Sequence, residues 1–390
     1  MSTIINADTS NGLKLTSDTS GEIELQSGGT TKAKITSSGL TDTSNNVITS
    51  QAGKNLVING DMKIDQRNSG SVTTPANNVC TLDRWNAGLS QSSKYSVQQV
   101  VDAPSGFYNS IKATVLATVS LGATDYFMLK HKIEGYNVAD LNFGTANPET
   151  ITLSFWVKSS VTGTFGGGIQ NSSEARGYAF NYTISSANTW EKKSITLTGD
   201  TTGTWDKTTG TGLWLNLALG VGTTYSKSTG SWGAGPVLSA TGATNLLATG
   251  SATIQFTGVQ IEANTTATPF EHLQYGQQLA LCQRYYQQYG SSGSTAIGAG
   301  MWFTTTQILG LFTFPVIMRA APTITTTGTG WLEAYRPSGS STTTGTGNFD
   351  VIANHSARFN VSGWSTAGTA GQAAYLQLND GKYIFINAEL

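Results

Sequence analysis

The chain has 390 residues, 45 of them glycine, with 38% hydrophobic and only 12% charged residues and a formal net charge of −1. That balance excludes the basic field that gathers phosphates, so no nucleic-acid partner is expected. Low net charge with 9% aromatic residues excludes a disordered chain, and no apolar run approaches the ~18 residues that cross a bilayer, so no membrane insertion is expected.

Met1–Asn11 carries no basic segment followed by an apolar one, so no secretory signal is expected and assembly inside a cell is. Over residues 1–50, apolar pairs recur about every ten residues: Leu13 and Leu15, Ile23 and Leu25, Ala33 and Ile35. Each pair has i, i+2 spacing and shares one face of a strand, with turn clusters such as Ser27–Gly29 between. So few apolar residues cannot build a core, and the segment needs a partner surface, most simply identical copies of itself.

Residues 51–272 carry the clearest strands. Ile151, Leu153, Phe155 and Val157 alternate with polar residues and Trp156, Leu213–Leu219 has leucine at every second position, and Ser194–Thr198 alternates too. Ile254 and Phe256 share a face, then Val259 and Ile261 continue one residue out of phase, which predicts a β-bulge at Gly258. Strands between Gly/Thr-rich loops predict an antiparallel β-sandwich. The glycine-rich stretches 166–168 and 290–300 read as loops. In Tyr275–Tyr289, the residues Tyr275, Leu279, Cys282, Tyr286 and Tyr289 are spaced 4, 3, 4, 3, which predicts one helix over 273–289 with Gly290 as its stop. Docking on a sheet and packing around an oligomer axis are both open to it. Residues 290–390 are β again: Phe312, Phe314 and Val316 alternate, Pro315 marks an edge strand, and Asn379-Asp380-Gly381 predicts a hairpin joining Tyr375–Leu378 to Lys382–Asn387.

Catalytic signals are absent. None of His131, His272 and His355 has a nucleophile context, and no zinc spacing, P-loop or dinucleotide fingerprint occurs. No catalytic residue, cofactor or metal ligand is assigned, and no enzyme activity is expected. Asp61 and Glu262 would meet if their strands paired, and two carboxylates in one place suit a structural calcium. Loop aromatics are the remaining chemistry, because an electron-rich ring stacks on the apolar face of a sugar. Trp205, Trp232 and Tyr225 lie in Gly/Thr loops, and Trp302, Trp331, Tyr335 and Trp364 lie in the last region.

Asn55–Met62, Gln66-Arg67, Thr81–Trp85, Thr152–Lys158, Thr257–Glu262, Ala267–His272 and Leu279–Tyr286 together resemble a β-sandwich module of bacteriophage tail fibres, over about residues 55–289. Phe314–Thr323 resembles the start of the trimeric part that often follows, and residues 1–50 resemble, more loosely, N-terminal segments of marine phage structural proteins. The module is also similar to galactose-binding-like carbohydrate modules. The resemblance implies a jelly roll, a sugar-binding ancestry, framework tryptophans at Trp85, Trp156, Trp205 and Trp232, and no catalytic residues.

The expectation is an all-β, homotrimeric virion fibre of a tailed phage. Residues 1–50 would attach it to other virion proteins, 51–272 form the jelly roll, 273–289 the linking helix, and 290–390 a sandwich-like trimerisation domain. That distal domain would contact host-surface polysaccharide through Trp331, Tyr335 and Trp364. A purely structural capsid or collar fibre and a polysaccharide-degrading tailspike are the alternatives.

Overall fold

Threonine, glycine and alternating apolar residues leave the chain little but strands to form. The computed structural model describes residues 22–36, 39–41, 53–336, 339–343 and 349–390. Their architecture is all-β, with antiparallel sheets and one α-helix among the described residues.

The larger core belongs to a jelly-roll sandwich. One sheet has five strands in the spatial order Glu191–Leu197, Ile151–Ser159, Thr253–Ala263, Ser110–Val115 and Tyr95–Val100. The other has seven: Trp232–Ala234, Arg176–Ile184, Gly163–Gln170, Thr211–Val221, Tyr126–Glu134, Trp85–Leu89 and Cys80–Leu82. The predicted alternations fill the space between them. Leu213, Leu215, Leu217 and Leu219 point inward from one sheet, Ile151, Leu153, Phe155 and Val157 from the other, and all eight are fully buried. Each such side chain stabilises the fold by roughly 1.5–3 kcal/mol. The bulge falls where the phase shift put it. Register slips between Thr257 and Gln260, Gly258 has φ 61°, and a Cβ there would run into the Phe107 ring. The slip keeps Ile254, Phe256, Val259 and Ile261 all in the core.

A second core lies in the C-terminal region, around Trp302, Ile308, Trp331, Phe359, Leu376, Ile384 and Ile386. Its seven-stranded sheet runs Gly339–Thr342, Leu332–Arg336, Ala373–Leu378, Thr295–Trp302, Gln307–Thr313, Ser356–Ser362, Phe349–Asp350. A three-stranded sheet of Tyr286–Gly290, Tyr383–Asn387 and Thr323–Thr326 sits beside it. Three expectations change here. The Asn379-Asp380-Gly381 turn forms, but it does not close a hairpin. Ala373–Leu378 already has both edges filled by Leu332–Arg336 and Thr295–Trp302, so the chain crosses into the smaller sheet. The strand before Pro315 is an edge only at its end: Ile308–Gly310 pairs on both sides, Leu311–Thr313 pairs with Ser356–Arg358 alone, and the strand stops at Thr313, ahead of a proline with no N–H to offer. Of the stretch 290–300, Thr295–Gly300 is strand, not loop.

The helix is shorter than its seam. It spans Tyr275–Gln283, capped by a reciprocal Gln274–Gln277 hydrogen-bond pair. Tyr286–Gly290 leaves it as a strand paired with Tyr383–Asn387. Alternate residues facing Ile384 and Ile386 win over a 3.6-residue period. Only Cys282, with the half-buried Leu279, docks, and it does so on Ile58, Ile64 and Tyr285.

The helix and strand bring the two cores together at a charged joint. Arg84 and Arg67 both pair with Glu389, and their guanidinium groups lie 3.6 Å from the ring centres of Tyr285 and Tyr286. Arg284 and the Tyr285 hydroxyl donate to Glu134 at 2.6–2.9 Å. Arg319 donates to the carbonyls of Ala388, Glu389 and Thr209, and Lys132 Nζ to that of Leu390 at 2.6 Å.

In the N-terminal region, Ile23–Ser27 and Thr30–Thr36 form a hairpin that aligns Ile23 with Ile35 and Leu25 with Ala33. The two predicted pairs therefore meet on one face. Leu25 and Ile35 remain 42% and 39% exposed, and neither belongs to the described cores. Leu13 and Leu15 lie outside the described residues.

Candidate functional site

The three predicted ligand residues separate. Trp331 is fully buried against Phe349, so its place in a sugar site is corrected to a place in the core. Trp364 is half-buried, 5.4 Å from Trp302 ring to ring, with its Nε1 donating to Val361 O. Tyr335 does face outward. It stands beside Tyr375 at 6.3 Å between ring centres, and its hydroxyl donates to Glu333 at 3.0 Å. Trp205 and Trp232, the latter on a strand and not in a loop, pack on each other at 5.4 Å and around Phe143.

Asp61 and Glu262 are both buried but serve different neighbours. Asp61 pairs with Lys63 at 2.7 Å, while Glu262 accepts from the backbone N–H and hydroxyl of Thr268 and from Gln260. Among the described residues no three histidine, cysteine or acidic side chains gather as a metal site would require. His131 is buried and neutral. Its Nε2–H lies 2.9 Å from Ile58 O, and burial beside Arg84 holds its pKa down to about 3.

The strongest site lies on the outer face of the seven-stranded jelly-roll sheet. The same alternation that turns the leucines of Thr211–Val221 inward turns Trp214, Asn216 and Ala218 outward. Across the ladder they meet Lys132, Lys130 and Met128. On the other side they meet Gln170 and Gly168. The stretch 166–168 is therefore strand, not loop, and its glycines have a steric task. A Cβ on Gly166 or Gly168 would overlap the chain at Val237–Ala240, which lies over this half of the sheet as a roof. Val237 and Ala240 pack there on Ala179.

Where the roof ends a cleft of about 180 Å³ opens, lined by Asn78, Tyr126, Met128, Lys130, Glu174, Trp214, Tyr225, Pro236 and Leu238. Tyr126 and Tyr225 meet edge-to-face at 5.8 Å in its wall. Lys130 is 6% exposed, donates to Asn78 Oδ1 at 2.6 Å, and has no carboxylate within ion-pair distance among the described residues. Burial, then the neighbouring Lys132, pushes its pKa down to about 8. Both ammonium groups sit 5.0–5.2 Å from the centre of the Trp214 ring. Buried polar atoms on this face lack hydrogen-bond partners in the protein: Trp214 Nε1 in the cleft lining, and both amide atoms of Asn216, Gln170 Nε2 and Ser239 Oγ outside it. Leaving such a group unmet costs about 1–3 kcal/mol, so a polar guest is favoured. Sequence reasoning missed this site. Its signal was the polar face of the 213–219 leucine strand, with Trp214 and Asn216 two residues apart.

No protein-family model and no curated protein matches the chain. Solved structures similar to part of it include a CBM4 carbohydrate-binding module (14% identity, 53% of this chain and 99% of that one, TM-score 0.29). A CBM22-1 xylan-binding domain from Paenibacillus barcinonensis matches at 10% identity over 57% of this chain and 99% of that one, TM-score 0.26. The enzymatically active domain of tailspike protein 4 of bacteriophage CBA120 matches at 12% identity over 48% of this chain and 21% of that one, TM-score 0.27. These neighbours are named for carbohydrate modules and a tailspike. At such TM-scores no residue role passes from them to this chain.

Proposed function

We propose that the chain is a homotrimeric structural fibre of a tailed-phage virion that binds host-surface glycan without cleaving it. The observation that supports glycan contact is the cleft at the edge of the roof, where Trp214 Nε1 is left without a hydrogen-bond partner in the protein. Its place on the jelly roll moves the contact away from the distal tryptophans. Two half-finished surfaces favour assembly with identical copies. One is the N-terminal hairpin's apolar face. The other is the outer face of the C-terminal seven-stranded sheet, where Met301, Leu311, Tyr335 and Tyr375 stay 41–64% exposed.

The test is a glycan array probed with the full chain and with Trp214→Phe, which keeps the ring and removes the donor. Binding that Trp214→Phe weakens at least tenfold supports the proposal. Absence of binding to every glycan overturns the sugar contact, and release of reducing ends overturns binding without cleavage. A native mass of one chain at all concentrations overturns the trimer.

A further inference from the structure

Resting on that glycan site, we propose that the cleft takes a single sugar ring bearing one carboxylate, a uronic-acid type of residue at a chain end or branch. The charge balance of the lining carries this. Lys130 presents an ammonium that is almost wholly buried; among the described residues its hydrogen-bond partner is a neutral amide oxygen, the Trp214 ring lies 5.2 Å away, and no carboxylate is within ion-pair distance. An ammonium so placed is costly until an anion joins it. The hydrogen-bond balance agrees. In the cleft lining, Trp214 Nε1 is a donor in want of an acceptor, and the Lys130 ammonium adds more. A carboxylate, with two acceptor oxygens and no donor, answers that excess better than a hydroxyl does.

Size and the remaining walls narrow the guest. About 180 Å³ holds one ring and not a chain laid lengthwise. Met128, Leu238, Pro236 and the two tyrosines offer apolar surface to ring C–H groups. Glu174 lines the same cleft. It repels a second negative charge and accepts from ring hydroxyls, so a singly charged sugar is preferred to a sulfated or phosphorylated one. The charged and titratable groups facing Lys130 are Lys132 on its own strand, Glu174 from the Arg176–Ile184 side, and the phenols of Tyr126 and Tyr225.

The experiment is titration calorimetry of the full chain with uronate-containing oligosaccharides and with the same oligosaccharides after carboxyl reduction to the neutral sugars. At pH 7 the acidic form should bind at least tenfold more tightly. That preference should fade as the pH rises through about 8, where Lys130 loses its proton. Lys130→Gln should bring binding of the acidic form down to the level of the reduced form. Because a buried lysine is a risky position, Glu174→Gln on the rim serves as the second variant and should strengthen acidic binding severalfold. Equal binding of acidic and reduced forms, or an unchanged preference in both variants, overturns the carboxylate while the glycan site stands. Binding of neither form overturns both.

Discussion

The two seven-stranded sheets treat their outer faces in opposite ways. In the jelly roll, glycines at 166 and 168 let the 237–240 segment lie on the sheet, and the rest of the face becomes a narrow polar cleft. In the C-terminal region the equivalent face carries Met301, Leu311, Tyr335 and Tyr375 with nothing described above them. One sheet is covered by a segment of its own chain and keeps a cleft of about 180 Å³ at the edge of that cover. The other leaves its apolar side chains exposed, beside a depression of about 390 Å³ lined by Leu309, Leu311 and Val351.

That contrast can be broken at several points. Trp331→Ala should cost roughly 3–5 kcal/mol, seen as a lower unfolding temperature of the C-terminal region, whereas Tyr335→Ala should stay within about 0.5 kcal/mol. A mild effect at Trp331 would return it to the surface. Glu389→Gln, which leaves two buried guanidinium groups short of a counter-charge, should cost about 3–5 kcal/mol in denaturant unfolding. Gly168→Ala should cost roughly 1–3 kcal/mol, by pushing its Cβ into the Val237 backbone, and hydrogen exchange should show the 237–240 segment loosened.

The two regions should also differ in acid. His131 takes a proton near pH 6.5 when unfolded but only near about 3 when folded. Its neutral burial therefore stabilises the jelly roll above pH 6.5, and that stability is lost as the pH falls toward 3, by about 1.4 kcal/mol per unit. His131→Gln should flatten the slope in a pH series of thermal unfolding. His355 in the other region is exposed. The smallest effect on stability belongs to Leu311→Glu. It should scarcely change unfolding of the single chain while lowering the native mass measured by light scattering.

The period-2 strands, the Gly258 bulge and the short N-terminal strands with the turn between them were legible because each depends on residues close in sequence. The Asp380-Gly381 turn was legible as a turn, but the strand it should have paired with was already taken on both edges by segments some 40 and 80 residues away. The Tyr275–Tyr289 seam fitted a helix, and pairing with distant Ile384 and Ile386 turned its last part into a strand. The cleft was hidden for a similar reason. Gly166 and Gly168 show a turn's composition, and only the folded chain reveals that they make room for Val237. Trp214 was overlooked because the leucines around it explained its strand so well.

The joint at Glu389 has a mechanical consequence. The chain leaves the jelly roll through Arg284 and Tyr285, and comes back to it at Ala388–Leu390, where Arg84, Arg67 and Lys132 hold one side and Arg319 the other. A body hung on one tether swivels. Held at two points, it transmits torque, so a sideways pull on the C-terminal region reaches the jelly roll as a twist.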